Sequence, residues 1–147
     1  MCVEVKQQCE CGKREATFHL RDNIMVKEVI ERIFCPACSD SVAFDEQTML
    51  RDNQWIIEYD MDLARMLAIS KMGADSSELN PEYLFDEGLA TWREMYPGET
   101  LDIADERWQI IQKKDKDPKG YLAEINSWAV NRIQRLKASG WRKAQFA

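Results

Sequence analysis

Four of the five cysteines form two close pairs, and this arrangement constrains the fold more than any other feature of the sequence. Cys9 is paired with Cys11 and Cys35 with Cys38, and 23 residues separate the two pairs. Two short turns that each offer two thiolates are typical of a tetrahedral metal site. Thiolates are soft ligands, so four of them favour zinc or iron over magnesium or calcium. The sequence therefore predicts one metal site, with these four cysteines as ligands.

A disulfide-bridged secreted scaffold is the competing interpretation of paired cysteines. Residues 1–8 contain no apolar signal segment, and no run in the chain approaches the roughly 20 apolar residues of a membrane span. We therefore expect a cytoplasmic protein without a membrane segment. In that reducing compartment, paired cysteines are more often metal ligands or redox groups than structural bridges. Cys2 is the odd thiol, and we interpret it as a loose terminal residue.

Zinc is the expected ion and iron the alternative. The Cys-Pro-x-Cys turn that begins at Cys35 also holds iron in rubredoxin-like electron carriers. The long remainder of the chain has no second cysteine cluster and no flavin or haem motif, which favours a structural Zn²⁺. His19 is the one histidine and lies in an alternating stretch typical of a strand. With four cysteines available, a histidine ligand is not required, so we expect a half-exposed strand residue beside the metal.

The residues around the two pairs resemble a known zinc module. Ala16, Thr17 and His19 follow the first pair, and a second arm ends in Phe34 and the second pair. This order is similar to the module of McsA-type proteins, which activate protein-arginine kinases. The resemblance spans residues 9–38, although the first pair has one intervening residue where that family has two. It implies zinc ligation by the four cysteines, and it does not extend to kinase activation.

The N-terminal part of the chain is predicted to be rich in strands. Alternating and β-branched stretches predict strands at 14–20, 27–34, 42–44 and 54–59. Turn residues at Asp22 and Asn23 connect the first two strands as a hairpin. Each end of that hairpin would meet a cysteine pair, which is the geometry of a zinc-ribbon-like module.

From Asp60 onward the apolar spacing becomes helical, and four helices are expected. Cap and stop signals place them at 60–72, from Asn80 to Tyr96, at 101–113, and from Asp117 to Gly140. The predicted inward residues are Leu63, Met66, Leu67 and Ser70, then Ala104, Trp108 and Ile111, then Leu122, Ile125, Ala129, Ile133 and Leu136. Core packing is the expected role of Trp92, Trp108 and Trp128.

The predicted fold class is α+β. Residues 1–59 would form the zinc-ribbon-like module, and residues 60–147 an acidic and then basic helical region. The charge is uneven: residues 40–106 carry 17 acidic and four basic residues, and residues 107–147 carry three acidic and ten basic. The two blocks could face each other within the fold or across a homodimer.

The basic C-terminal segment raises the question of nucleic-acid binding. Its cations and rings could contact phosphates and stack on bases: Arg132, Arg135, Lys137, Trp141, Arg142, Lys143 and Phe146. An isoelectric point near 4.9 and the acidic block disfavour that partner. A solvated helix face, or a surface that binds a protein partner, is the preferred interpretation.

Catalytic motifs are not evident in the sequence. It contains no Gly-rich phosphate loop, no His-Glu-x-x-His and no Gly-x-Ser-x-Gly, so no catalytic residue is predicted. The sequence as a whole favours a cytoplasmic interaction or regulatory protein with structural zinc. A metal-thiolate redox protein and a nucleic-acid-binding zinc protein are the alternatives.

Overall fold

The computed structural model describes residues 2–21, 23–73, 78–93, 96–97 and 100–145. The chain forms two compact units, Met1–Pro97 and Gly98–Ala147, which we call unit 1 and unit 2. The fold is α+β, and all the described strands lie in unit 1. This division differs from the predicted one after residue 59, because the strand at Ala90–Trp92 returns to a sheet of unit 1.

Unit 1 contains two antiparallel sheets of three strands each. The first has the order β1-β2-β6, formed by β1 (Cys2–Gln8), β2 (Glu15–Arg21) and β6 (Ala90–Trp92). The second has the order β3-β5-β4, formed by β3 (Ile30–Phe34), β4 (Met49–Asp52) and β5 (Trp55–Tyr59).

The predicted hairpin between 14–20 and 27–34 is wrong, since β2 and β3 belong to different sheets. Strand β1, which the sequence analysis did not predict, pairs with β2 from Gln8 opposite Glu15 to Cys2 opposite Arg21. Six residues connect β1 to β2 and eight connect β2 to β3, so both pairings are local in sequence. Strand β3 instead pairs with β5, all five residues of which are buried. Asp22, half of the predicted turn, lies outside the described residues.

The predicted strand at 42–44 is also absent from the described structure, and β4 takes its place beside β5. The β4–β5 turn consists of Asn53 and Gln54, with φ angles of 45° and 70°. Two consecutive positive φ angles are the signature of a type I′ hairpin turn, whose twist matches that of the strands. Gln54 stands where such turns usually have glycine, and a turn without that glycine is hard to predict from sequence.

Five α-helices are described: α1 (Pro36–Ser39), α2 (Met61–Met72), α3 (Pro81–Asp86), α4 (Thr100–Ile111) and α5 (Pro118–Ser139). The predicted starts of three of them are confirmed. The side chains of Asp60, Asn80 and Asp117 each accept a hydrogen bond from a backbone N–H of the first turn. Such caps satisfy donors that the helix itself leaves unpaired.

The helix predicted from Asn80 to Tyr96 is wrong beyond Asp86. The chain turns at Gly88, where φ is 74°, and then forms β6. Strand β6 pairs with β2, with Phe18 opposite Trp92. The apolar spacing that suggested a longer helix instead places buried residues in a sheet. Residues 94–95 lie outside the described part of the chain.

The core of unit 1 is built around Trp92, as expected. Its ring lies 4.8 Å from that of Phe18, 5.9 Å from that of Trp55 and 6.1 Å from that of Phe85. The indole N–H donates to the carboxylate of the buried Asp52 at 2.6 Å. Because Asp52 and Trp55 lie on β4 and β5 and Phe18 on β2, Trp92 connects the two sheets.

Several predicted inward faces are wrong. In α2 the buried residues are Met61, Ala64 and Ala68, whereas Met66 is exposed. In α4, Ile103 and Ile110 are buried and Trp108 is 61% exposed, so Trp108 is not a core residue. The remaining predicted residues divide as follows: Leu136 is buried, Leu63, Leu67, Ile111, Ile125, Trp128 and Ile133 are half-buried, and Ser70, Ala104, Leu122 and Ala129 are exposed.

None of the described helices combines the length and the apolar character that crossing a membrane requires.

Candidate metal centre

The first cysteine pair lies in the turn between β1 and β2. The amide of Cys9 donates to the carbonyl of Arg14 at 2.8 Å, and the amide of Gly12 donates to the carbonyl of Cys9 at 2.8 Å. Gly12 has a φ of 73°, a conformation that residues with a Cβ rarely adopt. The turn therefore needs glycine at position 12 in order to fold back directly after Cys11.

The second pair lies in the turn that follows β3. Cys35 precedes α1, and its carbonyl accepts hydrogen bonds from the amides of Cys38 and Ser39, both at 2.9 Å. Pro36 occupies the first helical position, where its fixed φ suits the helix and its missing N–H costs nothing. One turn of helix thus brings Cys38 back beside Cys35.

The two turns meet because the end of β1 runs beside the end of β3. Cys9 forms a parallel bridge with Ile33, and the amide of Glu10 donates to the carbonyl of Ile33 at 3.3 Å. The amide of Cys35 then donates to the sulfur of Cys9 at 3.1 Å. Backbone contacts between the two segments, and not pairing of β2 with β3, therefore bring the cysteine pairs together.

All four predicted ligands converge in the structure. The Sγ atoms of Cys9, Cys11, Cys35 and Cys38 lie within 4.8 Å of one another. The Sγ of Cys35 is 3.8 Å from that of Cys11 and 3.7 Å from that of Cys38. A disulfide requires about 2.05 Å, and all four cysteines are free thiols. The group could hold a metal ion.

The quartet has an inner and an outer half. Cys9 and Cys35 are 3% and 1% exposed, whereas Cys38 is half-buried and Cys11 is exposed. Solvent therefore reaches the group from the side of Cys11 and Cys38. An ion bound by the four sulfurs would have two buried ligands, Cys9 and Cys35, and one ligand open to solvent, Cys11.

The local electrostatics distinguish the sulfurs further. A hydrogen bond from the backbone of Lys13 is the largest cause that lowers the pKa of Cys11, to about 6. Hydrogen bonds with Cys11 and then Cys35 raise the pKa of Cys38 to about 12. Burial is the main cause that raises the pKa of Cys9. Four sulfurs this close cannot all be ionised at low cost unless a cation lies among them.

The other candidate residues lie outside the quartet. His19 is a half-exposed strand residue, as predicted, but it is not beside the cysteines, because it pairs with Glu4, five residues along the chain from Cys9. Its Nε2 lies 3.4 Å from the carboxylate of Glu4 on β1. Cys2 lies opposite Arg21, at the end of β1 away from Cys9, and its side chain is not among those described. Among the described residues, the group that could hold a metal ion therefore consists of cysteines alone.

The C-terminal segment does not leave all of its predicted nucleic-acid-binding side chains exposed. Trp141 is buried, and Arg135 donates two hydrogen bonds to the carboxylate of Glu106, at 2.9 and 2.8 Å. Phe146 lies outside the described residues. One predicted stacking ring is thus enclosed, and one predicted phosphate contact is already made to a carboxylate.

Sequence reasoning found the four sulfurs but missed the backbone donors that orient them. The amides of Lys13 and Cys35 point at the sulfurs of Cys11 and Cys9. A backbone amide has no residue signature, and only Gly12 indicated that the chain turns sharply there. Comparison of the chain with protein-family models, with curated proteins and with solved structures finds no match.

Proposed function

We propose that Cys9, Cys11, Cys35 and Cys38 bind one structural Zn²⁺ ion, and that the chain acts as an interaction or regulatory protein. The observation that carries this proposal is the convergence of four sulfur atoms from two separate turns within 4.8 Å. The McsA-type resemblance of residues 9–38 supports the same ligand set.

The sulfur spacing fits a tetrahedral thiolate site. A Zn–S bond of about 2.3 Å implies sulfur–sulfur edges of about 3.8 Å in a regular tetrahedron. The two measured separations at Cys35 are 3.8 and 3.7 Å. Thiolate is the ligand that zinc prefers in structural sites, and four protein ligands leave no position for a substrate. These features favour a structural role over a catalytic one.

Bound zinc would stabilise a region that buries few side chains. The side chains described for β1 are exposed or half-buried, and the turn at 9–14 is exposed apart from Cys9. Binding a metal at such a place stabilises the folded state by the free energy of binding. The ion would hold the β1–β2 turn to the end of β3.

Elemental analysis of protein purified without added metal tests the proposal. We expect one zinc per chain, and the variants Cys11→Ser and Cys35→Ser should each lose most of it. Cys2→Ser is the matched control, because it removes the fifth cysteine from the far end of β1, and it should retain the full zinc content. Metal-free wild type, or equal loss in the control, would contradict the assignment.

The exposure of Cys11 favours a metal-thiolate redox protein as the second candidate function. An exposed thiolate is open to peroxide, which would accept two electrons from two thiolates and give a disulfide and, with two protons, two waters. Zinc release that follows peroxide in proportion to disulfide formed would support this function. A red protein with visible absorbance would instead indicate iron, as in an electron carrier.

A further inference from the structure

Helix α2 is apolar on two sides. Its buried residues, Met61, Ala64 and Ala68, face the interior of unit 1. On the opposite side Met66 is 60% and Ile69 is 49% exposed. These two residues are three positions apart, so they form one stripe along the helix. These two side chains offer adjacent apolar area that a partner could bury.

An acidic depression lies at the N-terminal end of the same helix. Its volume is about 410 Å³, and the lining includes the carboxylates of Glu31, Asp60 and Asp62 together with one cation, Arg65. Burial is the main cause that raises the pKa of Glu31, and the nearby Glu58 adds to the rise. Such surroundings favour an added cation, because it would stabilise the charged carboxylates. The surface as a whole fits an apolar helix that carries lysine or arginine at its end.

Helix α5 presents a face with those properties. Leu122 is 59% and Val130 is 55% exposed, and the two are eight positions apart, a little more than two turns along one side of the helix. Lys119 and Lys137 are exposed near the two ends of that side. The single acidic residue of α5, Glu124, lies elsewhere on the helix, where it accepts from Lys113 at 3.0 Å. We call this side, from Lys119 to Lys137, the outer α5 face.

We propose that the α2 surface of one copy of this chain binds the outer α5 face of a second copy. Charge complementarity supports this occupant. Unit 1 contains 19 acidic and ten basic residues, and unit 2 contains seven acidic and ten basic, so the copies would join surfaces of opposite sign. A two-fold arrangement makes the contact twice, since each copy gives one α5 and receives one. The inference is independent of the proposed metal site.

Sedimentation equilibrium on the 147-residue chain, with any metal it carries as purified, tests the proposal. We expect a dimer that dissociates on dilution and weakens as salt is raised, because screening reduces the attraction between the opposite charges. A monomer at every concentration, or a dimer indifferent to salt, would contradict it. A contact formed within one chain would show no dependence on concentration.

Matched variants locate the contact. Val130→Glu places a charge in the outer α5 face, and we expect the dimer Kd to rise by about tenfold or more, since one buried apolar side chain is lost from each contact. Asn131→Glu adds the same charge one position further on, turned by about 100° around the helix, and should change Kd by less than about twofold. Equal effects of the two variants would overturn the proposal. Both positions are exposed, so circular dichroism should show unchanged helix content.

Complementation distinguishes this arrangement from α5 binding to α5. Met66→Glu damages only the α2 surface, and Val130→Glu damages only the outer α5 face. Each variant alone would form two damaged contacts. A dimer of one copy of each variant has one intact contact, because α2 of the Val130→Glu copy and α5 of the Met66→Glu copy are both unsubstituted. We expect the mixed dimer to be about tenfold tighter than either variant alone, and absence of that rescue would exclude the proposed pairing.

Discussion

The two units of this chain are stabilised in different ways. Unit 1 joins two sheets through one ring, with Phe18, Trp55 and Phe85 all packed on Trp92. Unit 2 is a helical pair whose charged contacts lie at the surface, such as Arg135 with Glu106. The stability of unit 1 therefore depends on buried contacts between strands and helices that are distant in sequence. The stability of unit 2 depends on contacts between two consecutive helices, α4 and α5. We expect large effects from single changes in unit 1 and smaller ones in unit 2.

Removing the proposed zinc ion should produce the largest difference in stability between the two units. Structural zinc binds small modules with about 10–16 kcal/mol, so chelation should cost unit 1 several kcal/mol. Hydrogen exchange should show lost protection at the β1–β2 turn and at β3, while amides of α4 and α5 stay protected. Cys2→Ser without chelator serves as the control. Equal loss of protection in both units would contradict the proposed structural role.

Removing the central ring of unit 1 should have the next largest effect. Trp92→Ala deletes a buried indole and leaves Asp52 without this hydrogen bond, which should lower the free energy of unfolding by about 3–5 kcal/mol. Trp108→Ala is the matched control, since that ring is 61% exposed. It should change stability by less than about 0.5 kcal/mol. Urea unfolding of both variants measures the contrast, and similar costs would mean that Trp108 is covered in solution.

Within unit 2, a truncation on the buried side of α4 should lower the stability more than one on the outer side of α5. Ile110→Ala removes part of a buried side chain and should cost about 2 kcal/mol, the lower end of such changes. Leu122→Ala, on the exposed side, should cost less than about 0.5 kcal/mol in dilute protein. Amide exchange in α4 and α5 measures both. A larger cost for Leu122→Ala would show that the outer α5 face is buried even in the monomer.

The smallest effect should come from the charges of unit 2, and it depends on pH. Hydrogen bonds from Arg135 and then Trp128 lower the pKa of Glu106 below its ordinary value of 4.5. Its stabilising contribution is therefore fully present above pH 4.5 and is lost as the pH falls through the lowered value.

Glu106→Gln should cost about 0.2–1 kcal/mol at pH 7, as is usual for pairs that water screens. It should also flatten the loss of helix protection that wild type shows as the pH falls below 4.5. Glu124→Gln, which removes a separate exposed pair, is the control. If Glu106→Gln loses helix protection with the same pH dependence as wild type, other carboxylates determine that dependence.

Local signals in the sequence were sufficient for some parts of this molecule. Asp60, Asn80 and Asp117 marked helix starts correctly, because a cap acts within three residues of itself. The cysteine pairs likewise identified the group that converges, since each pair is defined by its own turn. Such features can be predicted without knowing which distant segments of the chain are in contact.

Strand pairing and helix orientation could not be predicted in the same way. The apolar spacing around Leu89 and Trp92 suits a helix, yet pairing with β2 makes Ala90–Trp92 a strand. Helices α2 and α5 carry apolar residues on more than one side, so periodicity alone did not select the buried side. In α2, small residues at Ala64 and Ala68 face the core and the larger Met66 is exposed.

The position of Cys9 at the end of β1 has a consequence for how this edge strand finds its alignment. None of the side chains described for β1 is buried, so its own pattern opposes a shift along β2 only weakly. A slip by one residue would turn the sulfur of Cys9 away from the amide of Cys35, which it now accepts from at 3.1 Å. The four sulfurs thus converge only when β1 is correctly aligned, and the proposed zinc ion would oppose mispairing of this strand.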